Sequence, residues 1–184
     1  RMRMLKQEFG DSLDIEWRAF MLRPEPSPRR LDDFRKYTEK WQHVADEQDS
    51  GSFRVWSTDE GPPTHSLPPH QVAKAAARVS EEAFERMHDD LLRAYFYDSR
   101  DITSPQVLEE LWEQAGLSPA DLAIADAPDI RNQVIDEHNE AVACGANGAP
   151  AFRTSDNDTV LVGAHPMHLF RRWVANALGR EERA

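Results

Sequence analysis

Gly148-Ala149-Pro150-Ala151-Phe152 places a proline among small residues at the mouth of what reads as a strand. A strand has little use for a residue without an N–H, except at its first position, on an edge or at a bulge. The residues beyond it support the reading. Ala151–Thr154 and Thr159–Val162 are two short strand candidates, joined by the turn-forming tetrad Ser155-Asp156-Asn157-Asp158. Gly163-Ala164-His165-Pro166 then leads to a closing helix with Met167, Phe170, Trp173, Val174 and Leu178 on its apolar side. A rigid corner beside a strand can shape a binding edge, so the motif bears on function as well as on fold. The plainer alternative is an ordinary trans proline that marks a strand start.

Working back to the beginning, Met2, Leu5 and Phe9 share one side of a helix that Gly10 ends. The stretch from Leu13 to Leu22 alternates apolar and polar over its first seven residues and reads as a strand, closed by Pro24, Pro26 and Pro28. Leu31, Phe34, Tyr37, Trp41 and Val44 fall at helical spacing. Loop signals dominate from Ala45 to Pro69, within which Phe53-Arg54-Val55-Trp56 reads as a strand or as an anchor for the loop. Gln71–Val79 is alanine-rich, which allows a partner helix to approach closely. Ser80 can cap the next helix, with Glu81 and Glu82 in its first turn. Ser104-Pro105 and Ser118-Pro119 are two more start signals, and a last helix of this block spans about 129–144. The order is helix, strand, large helical block, hairpin, helix.

Bulk properties narrow the function. The chain has 184 residues, 40% of them hydrophobic, which suffices for a core. A net charge of -11 argues against nucleic-acid binding and against a polybasic membrane anchor. No apolar run approaches the ~20 residues of a membrane span. Cys144 is the only cysteine. A chain with no disulfide of its own suits a reducing compartment, and the expected location is the cytoplasm.

The order of elements and four motifs resemble the FrnE-type branch of the DsbA-like thioredoxin-fold oxidoreductases. The motifs are Leu13–Phe20 with Leu22 and Pro24; Ala94-Tyr95-Phe96 with Arg100-Asp101-Ile102, Leu108 and Ala115-Gly116-Leu117; Gly148–Phe152; and Gly163-Ala164-His165-Pro166. The resemblance implies an α/β, thioredoxin-like fold with a large all-helical insertion between the second strand and a C-terminal ββα unit. Residues 1–23 and 130–184 would form the thioredoxin-like domain, and residues 24–129 the insertion, which would shape the substrate cleft. Pro150 would be the cis-proline facing the active site, and Ala149, Pro150 and Ala151 would hold a substrate segment near a reactive sulfur.

That sulfur is not in the chain. The family's Cys-x-x-Cys opens its first helix, and Arg1-Met2-Arg3-Met4-Leu5 looks like the second half of that helix. The first strand and both cysteines would lie within about twenty residues preceding Arg1, with the Cys-x-x-Cys about ten residues before it, so no catalytic residue is assigned here. The resemblance also implies partners: a protein or small thiol or disulfide substrate, with a homodimer as an option. No cofactor is required, although glutathione is a candidate through the related kappa-class glutathione transferases and 2-hydroxychromene-2-carboxylate isomerases. Those enzymes usually carry an acid where this chain has Gly163-Ala164-His165. A redox-inactive peptide-binding module is the third reading.

Cys144 is read as a buried structural cysteine rather than a regulatory thiol. His165 and His168 lie one helical turn apart and could share a metal, but no further ligand is evident nearby, so they are read as capping or surface residues. His65 and His70 are read as loop residues rather than cleft lining. Tyr95-Phe96-Tyr97 is read as core rather than the roof of a groove.

Overall fold

In the computed structural model of the protein, which describes residues 1–46 and 49–179, the chain opens as α1 (Met2–Phe9). Gly10 ends it with φ 58°, a conformation open to glycine at little cost. Two compact units follow from the packing: Arg1–Phe20 together with the chain from His138 onward, and Met21–Glu137.

In the first unit the periodic residues of α1 meet those of α8 (Met167–Ala177). Leu5, Met167, Phe170 and Val174 are buried together, with Met2, Phe9, Leu13, Phe152 and Trp173 packed around them. Full burial of a side chain such as Leu5 is worth about 1.5–3 kcal/mol. The hairpin contributes β1 (Ala151–Phe152) and β2 (Leu161–Val162), paired antiparallel with Ala151 opposite Val162 and Phe152 opposite Leu161. Phe152 points inward and meets the Phe170 ring edge-on at 4.8 Å.

Each strand is two residues shorter than expected. Arg153 turns away instead, with its guanidinium on Asp158 (2.8 Å) and on the Asn157 carbonyl (3.4 Å). The expected strand from Leu13 to Leu22 is absent. Its alternation partly survives in the burial of Ala19 and Met21. Yet the only ladder among the described residues is β1–β2, and this stretch does not enter it. Alternation makes a two-faced segment, but a strand exists only when a neighbour takes up its backbone bonds. The stretch is fixed through side chains, with Arg18 between Glu16 and Glu140 and Phe20 against His138.

The second unit is helical: α2 (Leu31–Thr38), α3 (Trp41–Ala45), α4 (Leu67–Val79), α5 (Glu81–Phe96), α6 (Pro105–Gln114) and most of α7 (Pro128–Ala143). The single helix expected through Val44 breaks at Glu39-Lys40. Pro68 and Pro69, expected in a loop, instead occupy the first turn of α4, where a missing N–H costs nothing. Ser118-Pro119 starts a 3₁₀ segment, Pro119–Asp126, rather than an α-helix. Ala75 and Ala76 are fully buried in the main core beside Met87 and Trp112, so α4 does use its small residues for close packing.

A second core is aromatic, with Phe34, Trp41 and Trp56 buried and Phe53, Tyr95 and Phe96 against them. Phe53–Trp56 is thus an anchor: the Trp56 N–H donates to Thr38 Oγ1 (3.0 Å) and its indole N–H to the Glu60 carbonyl (3.1 Å).

Ser80 caps α5 by accepting from the Ala83 N–H at 3.1 Å. Glu82 titrates below its ordinary 4.5, first through its own backbone N–H and then through the Ser80 hydroxyl. A depressed carboxylate adds stability above its unfolded value, and that contribution fades as pH falls through the lowered one. An NMR titration should therefore place Glu82 below a free glutamate. Ser80→Ala should move it part of the way back and cost about 1 kcal/mol in urea unfolding.

Lys74 and Glu137 form an ion pair of 2.7 Å with side chains only 11% and 7% exposed, and Gln133 donates to the same carboxylate at 2.9 Å. Removing one member of a buried pair strands the other charge, at a cost of ~3–5 kcal/mol. Chemical denaturation should show Glu137→Leu destabilised by about that much, and Lys74→Met/Glu137→Leu recovering most of the loss.

Candidate functional site

Proline has no N–H, so the corner at Pro150 is held through its carbonyl, which accepts from the Gly163 N–H at 2.8 Å. This bond extends the β1–β2 register by one step. The Ala149–Pro150 peptide bond is cis. Ala149 and Pro150 are exposed, and Ala151 is half-buried where the strand enters the unit. Among the described residues nothing bonds to the N–H or C=O of Ala149. The corner therefore offers one donor, one acceptor and the flat side of a proline ring on a fixed hairpin end. That arrangement can pair with an extended peptide backbone, as strand-addition sites do.

The turn behind the corner is ordered by short contacts. Gly163 has φ 109°. The His165 N–H donates to the Gly163 carbonyl (3.1 Å), and His165 Nε2 lies 3.0 Å from the Val162 carbonyl. The guanidinium of Arg1 reaches the carbonyls of Ala164 and His165, both at 3.1 Å. The support given by Gly163, His165 and Arg1 depends on contacts that residue pattern alone does not reveal. Hairpin pairing was the available signal, since Gly163 faces Pro150 once Ala151 is set opposite Val162.

Cys144 lies just beyond the end of α7 and is half-buried, not buried as expected. Arg153 Nη1 lies 2.8 Å from its Sγ. His65 and His70 belong to the helical unit, whereas Ala149–Ala151 belong to the other. The His65 ring meets Thr64 Oγ1 at 3.0 Å. No group of three or more His, Cys, Asp or Glu suited to a metal occurs among the described residues.

Tyr95 and Phe96 sit in the aromatic core, and burial raises the Tyr95 phenol above its ordinary 10, partly offset by Arg29. Tyr97 carries the Arg54 guanidinium 3.8 Å from its ring centre. Among the described residues no helix is long and apolar enough to cross a membrane.

The DSBA-like thioredoxin domain model matches residues 1–175. The chain belongs to that family. It is a family of thiol–disulfide oxidoreductases, and the fold is α/β and thioredoxin-like, with a helical insertion. A search of curated proteins found no match.

Two solved structures are similar in fold. A candidate protein disulfide isomerase from Nitrosomonas europaea superposes with a TM-score of 0.80 at 14% identity, covering 97% of this chain and 88% of its own. The cytosolic disulfide reductase DsbM from Pseudomonas aeruginosa gives a TM-score of 0.68 at 18% identity, covering 96% of this chain and 86% of its own. DsbM is also described with GSH.

A Cβ on Gly163 would meet only His165 Nε2, at an ordinary 3.8 Å, so space is available and the backbone angle is the obstacle. Gly163→Ala should lose about 1–3 kcal/mol of stability in urea melts, and amide exchange at residues 151, 162 and 163 should rise first.

Proposed function

We propose that this protein is a thiol–disulfide oxidoreductase in which Ala149, Pro150 and Ala151 seat the substrate, beside a dithiol that is not among its 184 residues. The supporting observation is the exposed backbone of Ala149, unbonded among the described residues and carried on a hairpin end fixed by the Pro150–Gly163 hydrogen bond.

In the chemistry proposed, one thiolate attacks a substrate disulfide. A protein–substrate S–S bond forms as the substrate's own breaks, and one substrate thiolate leaves. The second thiolate then attacks the mixed disulfide, releases the other substrate sulfur and leaves the dithiol oxidised by two electrons. Cys144 does not substitute for this pair. It is a single sulfur, so a mixed disulfide formed on it would have no second thiol beside it to resolve it.

Glutathione is the proposed small reductant, in keeping with the description of DsbM with GSH, and a glutathione transferase or isomerase is the second reading. The proposed location is the cytoplasm, in keeping with the single cysteine and with DsbM's description as cytosolic.

The test is insulin reduction by the full-length natural protein, with glutathione as the thiol source. Turnover well above the uncatalysed rate is expected. A protein that is folded yet inert in this assay would overturn the reading in favour of a binding module. Micromolar glutathione binding by calorimetry with no disulfide turnover would favour the transferase.

A further inference from the structure

The corner at Pro150 has a support that nothing in the peptide-pairing argument requires: an imidazole on the far side of the turn. His165 Nε2 faces the Val162 carbonyl at 3.0 Å. A carbonyl only accepts, so Nε2 carries the hydrogen and donates it. This closes a ring over Val162-Gly163-Ala164-His165, which the His165 N–H reinforces through the Gly163 carbonyl and Arg1 through the two carbonyls that follow. Val162 is the ladder partner of Ala151, and Gly163 supplies the only backbone donor on the Pro150 carbonyl among the described residues. Gly163, at φ 109°, lies between these two contacts, and as the residue with most backbone freedom it gains most from being pinned.

We propose that His165 is a positioning residue: its imidazole latches the 162–165 turn so that the Gly163 N–H stays on the Pro150 carbonyl and the free N–H and C=O of Ala149 keep their aim at a substrate strand. The role rests on the oxidoreductase reading above. It gives His165 no contact with substrate and no proton to move in the reaction.

The experiment compares His165→Ala and His165→Gln in the full-length natural protein. The glutamine keeps a side-chain N–H donor. In His165→Ala, amide hydrogen exchange at Gly163 should speed up about tenfold, and KM for a peptide disulfide should rise about fivefold, with kcat changed by less than about twofold, the worth of one net hydrogen bond. Exchange in α8 should stay put, and His165→Gln should restore most of both effects.

Unchanged Gly163 exchange in His165→Ala overturns the latch. So does a loss that spreads through α8 and that glutamine does not repair, which would mark His165 as a packing residue only. Failure of the oxidoreductase reading would show separately, as absent turnover in the unsubstituted protein, and the exchange measurement would still judge the latch.

Discussion

A residue that cannot donate must be held by what it accepts, and that constraint organises the smaller unit. Pro150 is fixed by one bond, from the Gly163 N–H to its carbonyl. Two further pairs, Ala151 with Val162 and Phe152 with Leu161, complete the hairpin. A two-stranded hairpin of this size is not stable alone in water. It persists here because Phe152 and Leu161 pack into the cluster that Leu5, Met167, Phe170 and Val174 form between α1 and α8. The exposed corner is thus set by an aromatic contact on its other side, and open edge and core are two sides of one β-strand.

The helical unit is held differently. Close contact of α4 and α5 through Ala75, Ala76, Ala83 and Met87 gives one core, and edge-to-face rings around Phe34 give another. Some of its polar devices are local, such as the Ser80 cap and the Trp112 indole N–H on the Ser118 carbonyl at 2.8 Å, and others span the sequence, such as Arg78 on Asp129 at 3.2 Å. The Lys74–Glu137 pair is a long-range contact that is also buried. It joins α4 to α7 across sequence, and its worth lies more in the cost of breaking it than in any net gain from making it.

Much of this was legible in the residues. The Ser80 cap, the Ser104-Pro105 start, the Gly10 stop and the apolar stripes of α1 and α8 each rest on short-range rules, and each appears as read. Errors arose where the outcome depends on a distant partner. Leu13–Leu22 has the pattern of a strand, but pattern cannot supply a neighbour. Pro68 and Pro69 have loop chemistry, yet the same chemistry serves a first helical turn. Ala149, Pro150 and Ala151 enter as candidates through a resemblance alone, whereas the contacts that Gly163, His165 and Arg1 make behind the corner become visible only when the register is known. Cys144 was expected to be buried and instead shares Arg153 with Asp158, a pairing that short sequence separation allows but does not dictate.

The first unit is built from both ends of the sequence, and this carries a consequence for its birth on the ribosome. Leu5 of α1 emerges early, but Met167, Phe170 and Val174, against which it packs, are made more than a hundred and fifty residues later. At roughly 5–20 residues per second, the interval is on the order of ten to thirty seconds. Met21–Glu137, unbroken in sequence, can fold within that time, before the α8 partners of Met2, Leu5 and Phe9 are made. Until Met167, Phe170 and Val174 are made, α1 therefore lacks the partners that bury Leu5 in the finished fold.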